Sequence, residues 1–246
     1  MNGYSEDLAF IHDAGFSGFS RDAAPGLLAL LRREGVGSGH VLDLGCGGGV
    51  WAKRLLDEGY SVQGIDISAP MIALARRRAP RAKFVRASFH DMKLPTCDAV
   101  TALGECINYL FHGRGRRDDL VRLFRRVHGA LRPGGIFLFD FAEPGRGGGE
   151  TTRRGFRQAD DWAILLEVEE DAARARLTRR MTLFRRVGRA WRRTEQTHHL
   201  RLYPRAVVAA ALREAGFIAR HLRGYGRLLL GGGHTAILAR RRDPKK

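Results

Sequence analysis

The stretch from Asp43 to Gly49, which reads DLGCGGG, has the residue types and spacing most suited to chemistry in this sequence. It follows a short apolar run and precedes an amphipathic one, which predicts a turn from a strand into a helix. Glycines at such a turn let backbone N–H groups approach a ligand closely, and the helix N-terminus adds partial positive charge. A turn without a ligand needs only one glycine, so four in five positions predict a binding site.

Two ways of counting the glycines lead to two ligand classes. From Gly47 the run is Gly47-x-Gly49-x-x-Ala52, and Asp66 follows 19 residues after Gly47, which satisfies the dinucleotide fingerprint. From Asp43 the run is an acid followed by alternating glycines, so a carboxylate stands at the end of the strand. A carboxylate gains nothing from a pyrophosphate, but it attracts the amino group of a cationic ligand. The position of Asp43 therefore favours the second class.

The elements around this run alternate between strand and helix patterns five times up to Phe141, which predicts a parallel sheet with helices on both faces. We expect Pro25 in the first turn of a helix over 24–36 and Ser68 as the cap of the helix after the second strand. We expect the turn 133–135 to lead into the fifth strand. The predicted strands read HVLDL, SVQGIDIS, AKFVRAS, CDAVTALG and IFLFDF.

Beyond Phe141 the pattern changes to extended segments. AEPGRGGGETTRRG predicts a loop, and the runs after it predict an antiparallel layer of about three strands, with Met181, Leu183 and Arg185 on one side. A helix over PRAVVAAALREAGF and two last strands, IARHLRGY and HTAILARR, joined by GRLLLGGG, complete the predicted order.

Four passages in this order resemble the class I S-adenosylmethionine-dependent methyltransferases: VLDLGCGGG, GIDIS, LRPGGIFLFDF and the pair of C-terminal strands. The resemblance implies an α/β fold, a Rossmann-like seven-stranded doubly wound sheet with its last strand reversed, plus an antiparallel β insertion after strand five. It divides the chain into a helical cap (1–39), a cofactor-binding core (40–148), an insertion that covers substrate or forms a dimer surface (149–203), the C-terminal part of the core (204–242) and a tail (243–246).

The same resemblance implies which residues bind S-adenosylmethionine. Asp43 receives the amino group, the methionine part lies on the glycine turn, Asp66 accepts hydrogen bonds from the ribose, and Ile67 packs on the adenine. Many relatives have Gly-Asp in the loop after strand three, where this chain has Ala87-Ser88-Phe89, so Ser88 or Asp91 takes the adenine contact, and Asp91 is otherwise a turn or capping acid. The expected cofactor-binding residues are Asp43, Gly45, Cys46, Gly47, Asp66, Ile67, Ser88, Phe89, Asp91, Gly104 and Glu105.

The resemblance also implies transfer of a methyl group to an N or O atom of a small molecule, as in sugar-amine and glycine N-methyltransferase-like enzymes. The candidates for direct roles in catalysis are Tyr109, Asn108, His199 and His12, each with ordinary packing or a surface position as the alternative. His198 and His199 point to opposite faces of a strand, so together they do not predict a metal site. The N-terminal aromatic segment, Tyr4 to Phe16, either closes over the cofactor or packs on the first helix.

Alternatives remain open from the sequence alone. An RNA or protein methyltransferase is one, although the loop after strand four reads GECI and not the Asn-Pro-Pro-Tyr type typical of nucleic-acid targets. An NAD-dependent oxidoreductase is another, because of the second way of counting the glycines. A catalytically silent scaffold with a retained pocket is the third.

The formal charge of +17 favours nucleic acid or another anion only weakly, because five of 43 basic residues are lysine and the arginines are spread along the chain, as in a codon bias. Residues 151–205 carry 14 arginines against seven acids, which predicts an anionic substrate, solvated strand faces or a homodimer edge. Three unpaired cysteines and the lack of a long apolar run predict a cytoplasmic protein without metal or membrane span.

Overall fold

The computed structural model describes residues 3–111, 115–148 and 152–241, so the predicted tail (243–246) and the first residues of the predicted insertion lie outside the described residues. Two helices begin the fold, and strands and helices then alternate as far as the fifth strand, except that β3 is followed by β4 without a helix in the described residues between them. These elements are α1 (Glu6–Phe16), α2 (Gly18–Arg33), β1 (His40–Leu44), α3 (Val50–Asp57), β2 (Ser61–Asp66), α4 (Ala69–Arg78), β3 (Lys83–Arg86), β4 (Cys97–Ala102), α5 (Arg117–Ala130) and β5 (Leu131–Ala142).

Four long antiparallel strands follow, and the chain then returns to the first sheet. The remaining elements are β6 (Arg153–Ala159), β7 (Trp162–Asp171), β8 (Arg176–Val187), β9 (Ala190–Arg201), α6 (Arg205–Glu214), β10 (Phe217–Leu222), β11 (Gly224–Tyr225), β12 (Leu228–Leu229) and β13 (His234–Arg241). We call β6 to β9 the insert sheet.

The main sheet has seven strands in the order β10-β13-β5-β4-β1-β2-β3. Its pairings are parallel except at β13, which runs antiparallel to both β5 and β10. The predicted doubly wound sheet with a reversed last strand is thereby confirmed. Because β4, β1 and β2 are parallel neighbours, their carboxyl ends, including Asp43 and Asp66, meet at one edge.

Apolar side chains on both faces of this sheet form the core. On one face, Phe124 of α5 packs against Phe137 and Phe139 of β5. On the opposite face of the sheet, Leu31 of α2 and Trp51 of α3 are buried in a second group of apolar side chains. The edge that carries Asp43 and Asp66 is thus held by two layers of packed helices, which makes it a rigid platform for a site.

Two element boundaries differ from the prediction. Pro25 lies inside α2, which begins at Gly18, because the burial of Leu27 and Leu31 outweighs one missing backbone donor. The fifth strand begins at Leu131, before the predicted turn, because Leu131 pairs with Cys97 and a register shift accommodates the proline and glycines.

The insert sheet has four strands where the sequence predicts about three, in the order β6-β7-β8-β9. All residues of β6 are exposed, so its sequence shows no alternation of buried and exposed positions, and part of it falls in the predicted loop. The predicted alternation in β8 is confirmed, since Met181 and Leu183 are buried against α1 and Arg185 covers the ring of Phe10 at 4.1 Å. The predicted strand IARHLRGY divides in the structure: β10 ends at Leu222, and β11 at its end pairs with β12, in the predicted link, as a short hairpin.

No helix in the described residues combines the length and the apolar composition that crossing a bilayer requires.

Candidate active site

A cleft opens at the carboxyl ends of β1, β2 and β4, between the main sheet and α1. Its floor contains the glycine turn and the two strand-end acids, Asp43 and Asp66. Its wall is largely aromatic and includes Tyr4, His12, Phe16, Phe89, Tyr109 and Phe111. The sequence-predicted site and the N-terminal segment therefore meet in one place.

The glycines of the turn serve different purposes. A Cβ on Gly45 would lie 2.7 Å from Cβ of Cys106, and one on Gly49 would lie 3.0 Å from Cα of Ala75, so these two glycines allow the protein to pack on itself. Gly47 has a φ of 51°, and no described atom lies within 4 Å of the position of an added Cβ. Gly47 therefore presents bare backbone to the open cleft.

Asp43 lies at the floor of the cleft and is almost fully buried. The Thr101 hydroxyl donates a hydrogen bond to its Oδ1 at 2.8 Å, and the Trp51 indole donates to Thr101 at 3.2 Å. Burial raises the pKa of Asp43 to about 7, with the charge of Asp66 acting in the same direction and the Thr101 bond against it. A cationic group beside Asp43 would offset that desolvation, as the position of this acid before the glycines predicts.

Asp66 at the end of β2 connects the glycine turn to the next helix. Its Oδ2 accepts from the Gly47 N–H at 2.9 Å, and its Oδ1 accepts from the Ser68 N–H at 2.8 Å. Burial raises the pKa of Asp66, and these backbone donors lower it in part. Ser68 caps α4 as predicted, its hydroxyl accepting from the Met71 N–H at 3.2 Å. Each Asp66 oxygen keeps a lone pair for a ligand.

The adenine-side candidates separate into two groups. Ile67, Ser88 and Phe89 line the cleft. Asp91 lies instead at a second depression beside Asp119 and Arg122. Of the two residues that could replace the missing Gly-Asp, the structure thus brings Ser88 to the cleft.

Some residues of the loop after β4 line the cleft and others do not. Gly104 and Cys106 line the cleft, and the Cys106 thiol donates to the Leu44 carbonyl at 3.3 Å. The Glu105 carboxylate is buried outside the lining and pairs with Arg146 and Arg179, the latter at 2.7 Å. Burial alone would raise its pKa, but the charges of the two arginines outweigh burial and lower the pKa of Glu105 to about 2. The Glu105 carboxylate is therefore ionised at neutral pH.

Two of the four catalytic candidates reach the cleft. Tyr109 and His12 line it. Asn108 is fully buried, and its amide binds backbone groups of Ala142 and Arg201, so it joins β5 to β9. His199 lies on the exposed face of β9, where it contacts Thr178 at 3.1 Å. Neither Asn108 nor His199 is among the described residues that line the cleft.

His198 points inward, opposite to His199, as strand alternation requires. Its ring stacks on Tyr4 at 5.1 Å and meets the edges of Tyr109 and Phe111. Burial lowers the pKa of His198 to about 4, with Arg179 as a further cause, and burial likewise lowers that of His12 to about 4. Both imidazoles are neutral at pH 7 and can accept hydrogen bonds.

The helix α1 covers the cleft and packs on the insert sheet. Its buried Asp7 accepts hydrogen bonds from Arg185 at 3.3 Å, from Arg192, and from Thr194 at 3.3 Å. Asp13 at its other end pairs with Arg78 at 2.7 Å, and Arg78 also donates to the Gly48 carbonyl. The N-terminal segment thus closes over the cleft, one of the two alternatives that the sequence left open.

Many arginines of the insert sheet already have acidic partners. Arg154 and Arg180 bind Glu167, Arg185 and Arg192 bind Asp7, and Arg179 binds Glu105. The described residues that line the cleft include no lysine or arginine. These five arginines therefore join the insert sheet internally, to α1 and to the loop after β4.

Sequence reasoning missed the link from Arg179 to Tyr109 and Tyr4. The Tyr4 and Tyr109 hydroxyls lie 3.0 Å apart, and Arg179 donates to the Tyr109 oxygen at 3.3 Å. These residues are 70 or more positions apart in the chain, so no local spacing relates them. The sequence carries only a weak signal for this link, since Tyr4 belongs to the N-terminal aromatic segment and Tyr109 is a candidate for catalysis.

Comparisons with known proteins agree with this geometry. Residues 41–135 match the family model described as a methyltransferase domain. A Bacillus subtilis (strain 168) protein named as a methyltransferase, YqeM, is 28% identical over 185 residues, which are 73% of each chain. The dTDP-3-amino-3,6-dideoxy-alpha-D-glucopyranose N,N-dimethyltransferase of Streptomyces fradiae is 33% identical over 125 residues, so the match spans 49% of each chain.

The fold has close structural counterparts. The crystal structure of the sugar N-methyltransferase KedS8 from Streptoalloteichus sp ATCC 53650 superposes with a TM-score of 0.79 at 20% identity, covering 99% of this chain and 95% of that one. The similarity therefore extends over the insert sheet and α1 as well as the main sheet.

Proposed function

We propose, from the premise that this chain is a class I S-adenosylmethionine-dependent methyltransferase, that it methylates an N or O atom of a small-molecule acceptor in the cleft under α1. The observation that carries the proposal is the exposed backbone of Gly47 between Asp43 and Asp66, with room for a ligand where a side chain would stand.

The residues of the cleft fit this cofactor. Asp43 is a buried carboxylate suited to an amino group, and Asp66 has free lone pairs for two ribose hydroxyls. Ile67, Ser88 and Phe89 would enclose the adenine. When bound, S-adenosylmethionine supplies a methyl group on a positively charged sulfur.

The protein's contribution to transfer is mainly to orient the acceptor and to exclude water. Orientation of two reactants can lower a barrier by roughly 7 to 11 kcal/mol. The covering helix α1 and the aromatic wall would provide both effects. Neutral His12, which lines the cleft, can accept a hydrogen bond from an N–H or O–H group of the acceptor.

A small acceptor is supported by the position of the site in a cleft under α1 and by the sugar N-methyltransferases among the similar proteins. The arginine content alone suggested an anionic acceptor. The described residues that line the cleft, however, include no lysine or arginine that could bind an anion there. We therefore favour an acceptor whose reacting end, the part that enters the cleft, is an uncharged or cationic amine or hydroxyl group.

We further propose that different parts of the chain bind the cofactor and the acceptor. Residues 40–148 and 204–242 would bind the cofactor, and residues 1–39 and 149–203, together with Tyr109, would enclose the acceptor. The exposed edge of β6 is available for a homodimer. The three free thiols favour a cytoplasmic location.

Transfer of a radiolabelled methyl group tests the proposal. The protein is incubated with methyl-labelled S-adenosylmethionine and a fractionated cell extract, with and without prior ribonuclease treatment. We expect label in the low-molecular-weight fraction, unaffected by ribonuclease and absent with Asp66→Ala. Label that disappears after ribonuclease, or that resides in protein, would establish a macromolecular acceptor instead.

A further inference from the structure

The loop after β4 holds Glu105 in a left-handed conformation, with a φ of 61°, that residues other than glycine rarely adopt. Fully buried Asp140 fixes this conformation, since it accepts from the Gly104 N–H at 3.0 Å and from the Glu105 N–H at 2.7 Å. Tyr225 and His234 bind the same carboxylate at 3.1 and 2.8 Å. Such strain persists where the surroundings impose it and is concentrated at functional sites.

A chain of hydrogen bonds leads from Glu105 to the cleft. Arg179 of β8 donates from Nη2 to Glu105 at 2.7 Å and from Nη1 to the Tyr109 hydroxyl at 3.3 Å. The Tyr109 and Tyr4 hydroxyls are 3.0 Å apart, and both tyrosines line the cleft. Three separate parts of the chain therefore converge on two phenol groups.

The chemistry of the guanidinium fixes the first hydrogen bond of this chain. Arginine only donates, so the Tyr109 oxygen accepts from Arg179. Either phenol can donate to the other, and in both arrangements the pair keeps one hydrogen and two lone pairs for a ligand. Burial raises the pKa of Tyr4 well above its usual value, with Tyr109 adding to the effect, so the phenol stays neutral.

Arg179 itself is poorly placed to bind an anionic ligand. Both of its terminal nitrogens have partners, and Glu105 compensates its charge. The arginine side chain is largely buried and is absent from the described residues that line the cleft.

We propose that Arg179, held by Glu105, is a positioning residue that orients the Tyr109 and Tyr4 hydroxyls, and that these hydroxyls form the acceptor subsite for an uncharged or cationic N–H or O–H group. This inference rests on the proposed function, because it assigns the contacts of the acceptor in the same cleft.

Sinefungin provides a test that needs no knowledge of the natural acceptor. It is a cofactor analogue that carries an amino group where the cofactor carries the transferred methyl, so this group extends toward the acceptor subsite. The ratio of its affinity to that of S-adenosylhomocysteine, measured by calorimetry, isolates the contribution of the amino group. The variants are Arg179→Met, Arg179→Gln, which keeps a donor, and Tyr109→Phe.

Arg180→Met is the matched control, since Arg180 is the next residue of β8 and binds Glu167 and Glu169 on the exposed face. We expect Arg179→Met to weaken sinefungin about tenfold relative to S-adenosylhomocysteine, because oriented hydrogen bonds to a charged amine are lost. Arg179→Gln should restore most of the ratio, Tyr109→Phe should reproduce the loss, and Arg180→Met should leave the ratio unchanged.

Stronger sinefungin binding in Arg179→Met would indicate that Arg179 acts on the cleft through its charge, as an anion-binding residue would. If the Arg179 charge acted on the cleft, its removal would strengthen sinefungin, because an ammonium group would lose a repulsive neighbour. Stronger binding, or an unchanged ratio in both Arg179→Met and Tyr109→Phe, would overturn the inference while leaving the proposed function in place. A wild-type protein that binds neither compound would contradict the proposed function itself.

Discussion

The Asp66 carboxylate accepts a hydrogen bond from the backbone N–H of Gly47 at 2.9 Å. Asp66, at the end of β2, therefore holds Gly47 in place, the glycine that follows the neighbouring strand β1 and faces the cleft. Because the second Asp66 oxygen binds the Ser68 N–H, the same carboxylate also connects the glycine turn to the start of α4. Cofactor contacts from β1 and β2 are therefore positioned together.

Gly47→Ala should reduce the affinity for S-adenosylhomocysteine at least about tenfold, because the added methyl group occupies ligand space. The left-handed backbone also costs about 1–2 kcal/mol of stability with alanine. Gly59→Ala is the matched control, since Gly59 has a φ of 85° and an equally open surrounding, but lies outside the cleft. Equal affinities for the two variants, measured by calorimetry, would mean that the ligand does not lie over Gly47.

The affinity for S-adenosylhomocysteine should depend on pH through Asp43. Burial raises the pKa of Asp43 from its usual value of 3.8 to about 7. In the ligand-free protein this carboxyl group is therefore mostly protonated at any pH below about 7. The ligand's ammonium group binds the ionised form, and affinity should fall about tenfold for each pH unit below 7. In Asp43→Asn we expect weaker binding with a flat profile from pH 5 to 8. A flat profile in the wild type would remove Asp43 from the ammonium site.

Asn108→Ala should lower the free energy of unfolding by roughly 3 kcal/mol, because three hydrogen bonds to buried backbone groups are lost. Cofactor affinity of the folded protein should stay within about twofold, since Asn108 contacts strands and not the cleft. Chemical denaturation measures the first quantity, and exposed His199→Ala on β9 serves as the control. A stable but inactive Asn108→Ala protein would instead indicate a role in catalysis.

Asp7→Asn should loosen α1 from the insert sheet. Burial raises the pKa of Asp7, but hydrogen bonds from Arg192 and Arg185 outweigh burial and hold the pKa below its usual 3.8. This contribution is present above pH 3.8 and is lost as the pH falls through the lower folded value. We expect amide hydrogen exchange in α1 to rise at least about tenfold near pH 7.

The control for this substitution is Asp57→Asn, which removes an exposed ion pair with Lys53 on α3. It should leave the exchange of α1 unchanged, because exposed pairs contribute little. If the exchange of α1 is the same in both variants, the apolar contacts of Leu8 and Ile11 hold the helix without help from Asp7.

Local patterns were enough to predict the elements that carry the cofactor site. The order of strands and helices up to β3 and the Ser68 cap follow from short-range periodicity and turn residues, and the structure has both of them. The reversed last strand, which the structure also has, is implied by the resemblance to the class I methyltransferases and not by periodicity. Asp43 and Asp66 could be paired from the sequence because parallel neighbouring strands end at the same edge.

Features set by distant contacts could not be predicted in this way. The strand β6 has no buried face, so periodicity cannot reveal it. The sequence near Asn108 and Glu105 shows their polarity, but their partners lie on β5, β8, β9 and the loop after β5. Pro25 predicts a helix start by its local preference, which the packing of α2 overrides.

Calorimetric titration with S-adenosylhomocysteine and with NAD, on the wild type and on Asp66→Ala, tests the central claim most directly. We predict one S-adenosylhomocysteine bound per chain, an affinity lower by about a hundredfold in Asp66→Ala because two hydrogen bonds to a carboxylate are lost, and no binding of NAD. Thermal unfolding of both proteins establishes that the variant is folded. Binding of NAD alone, or an unchanged affinity for S-adenosylhomocysteine in Asp66→Ala, would contradict the account.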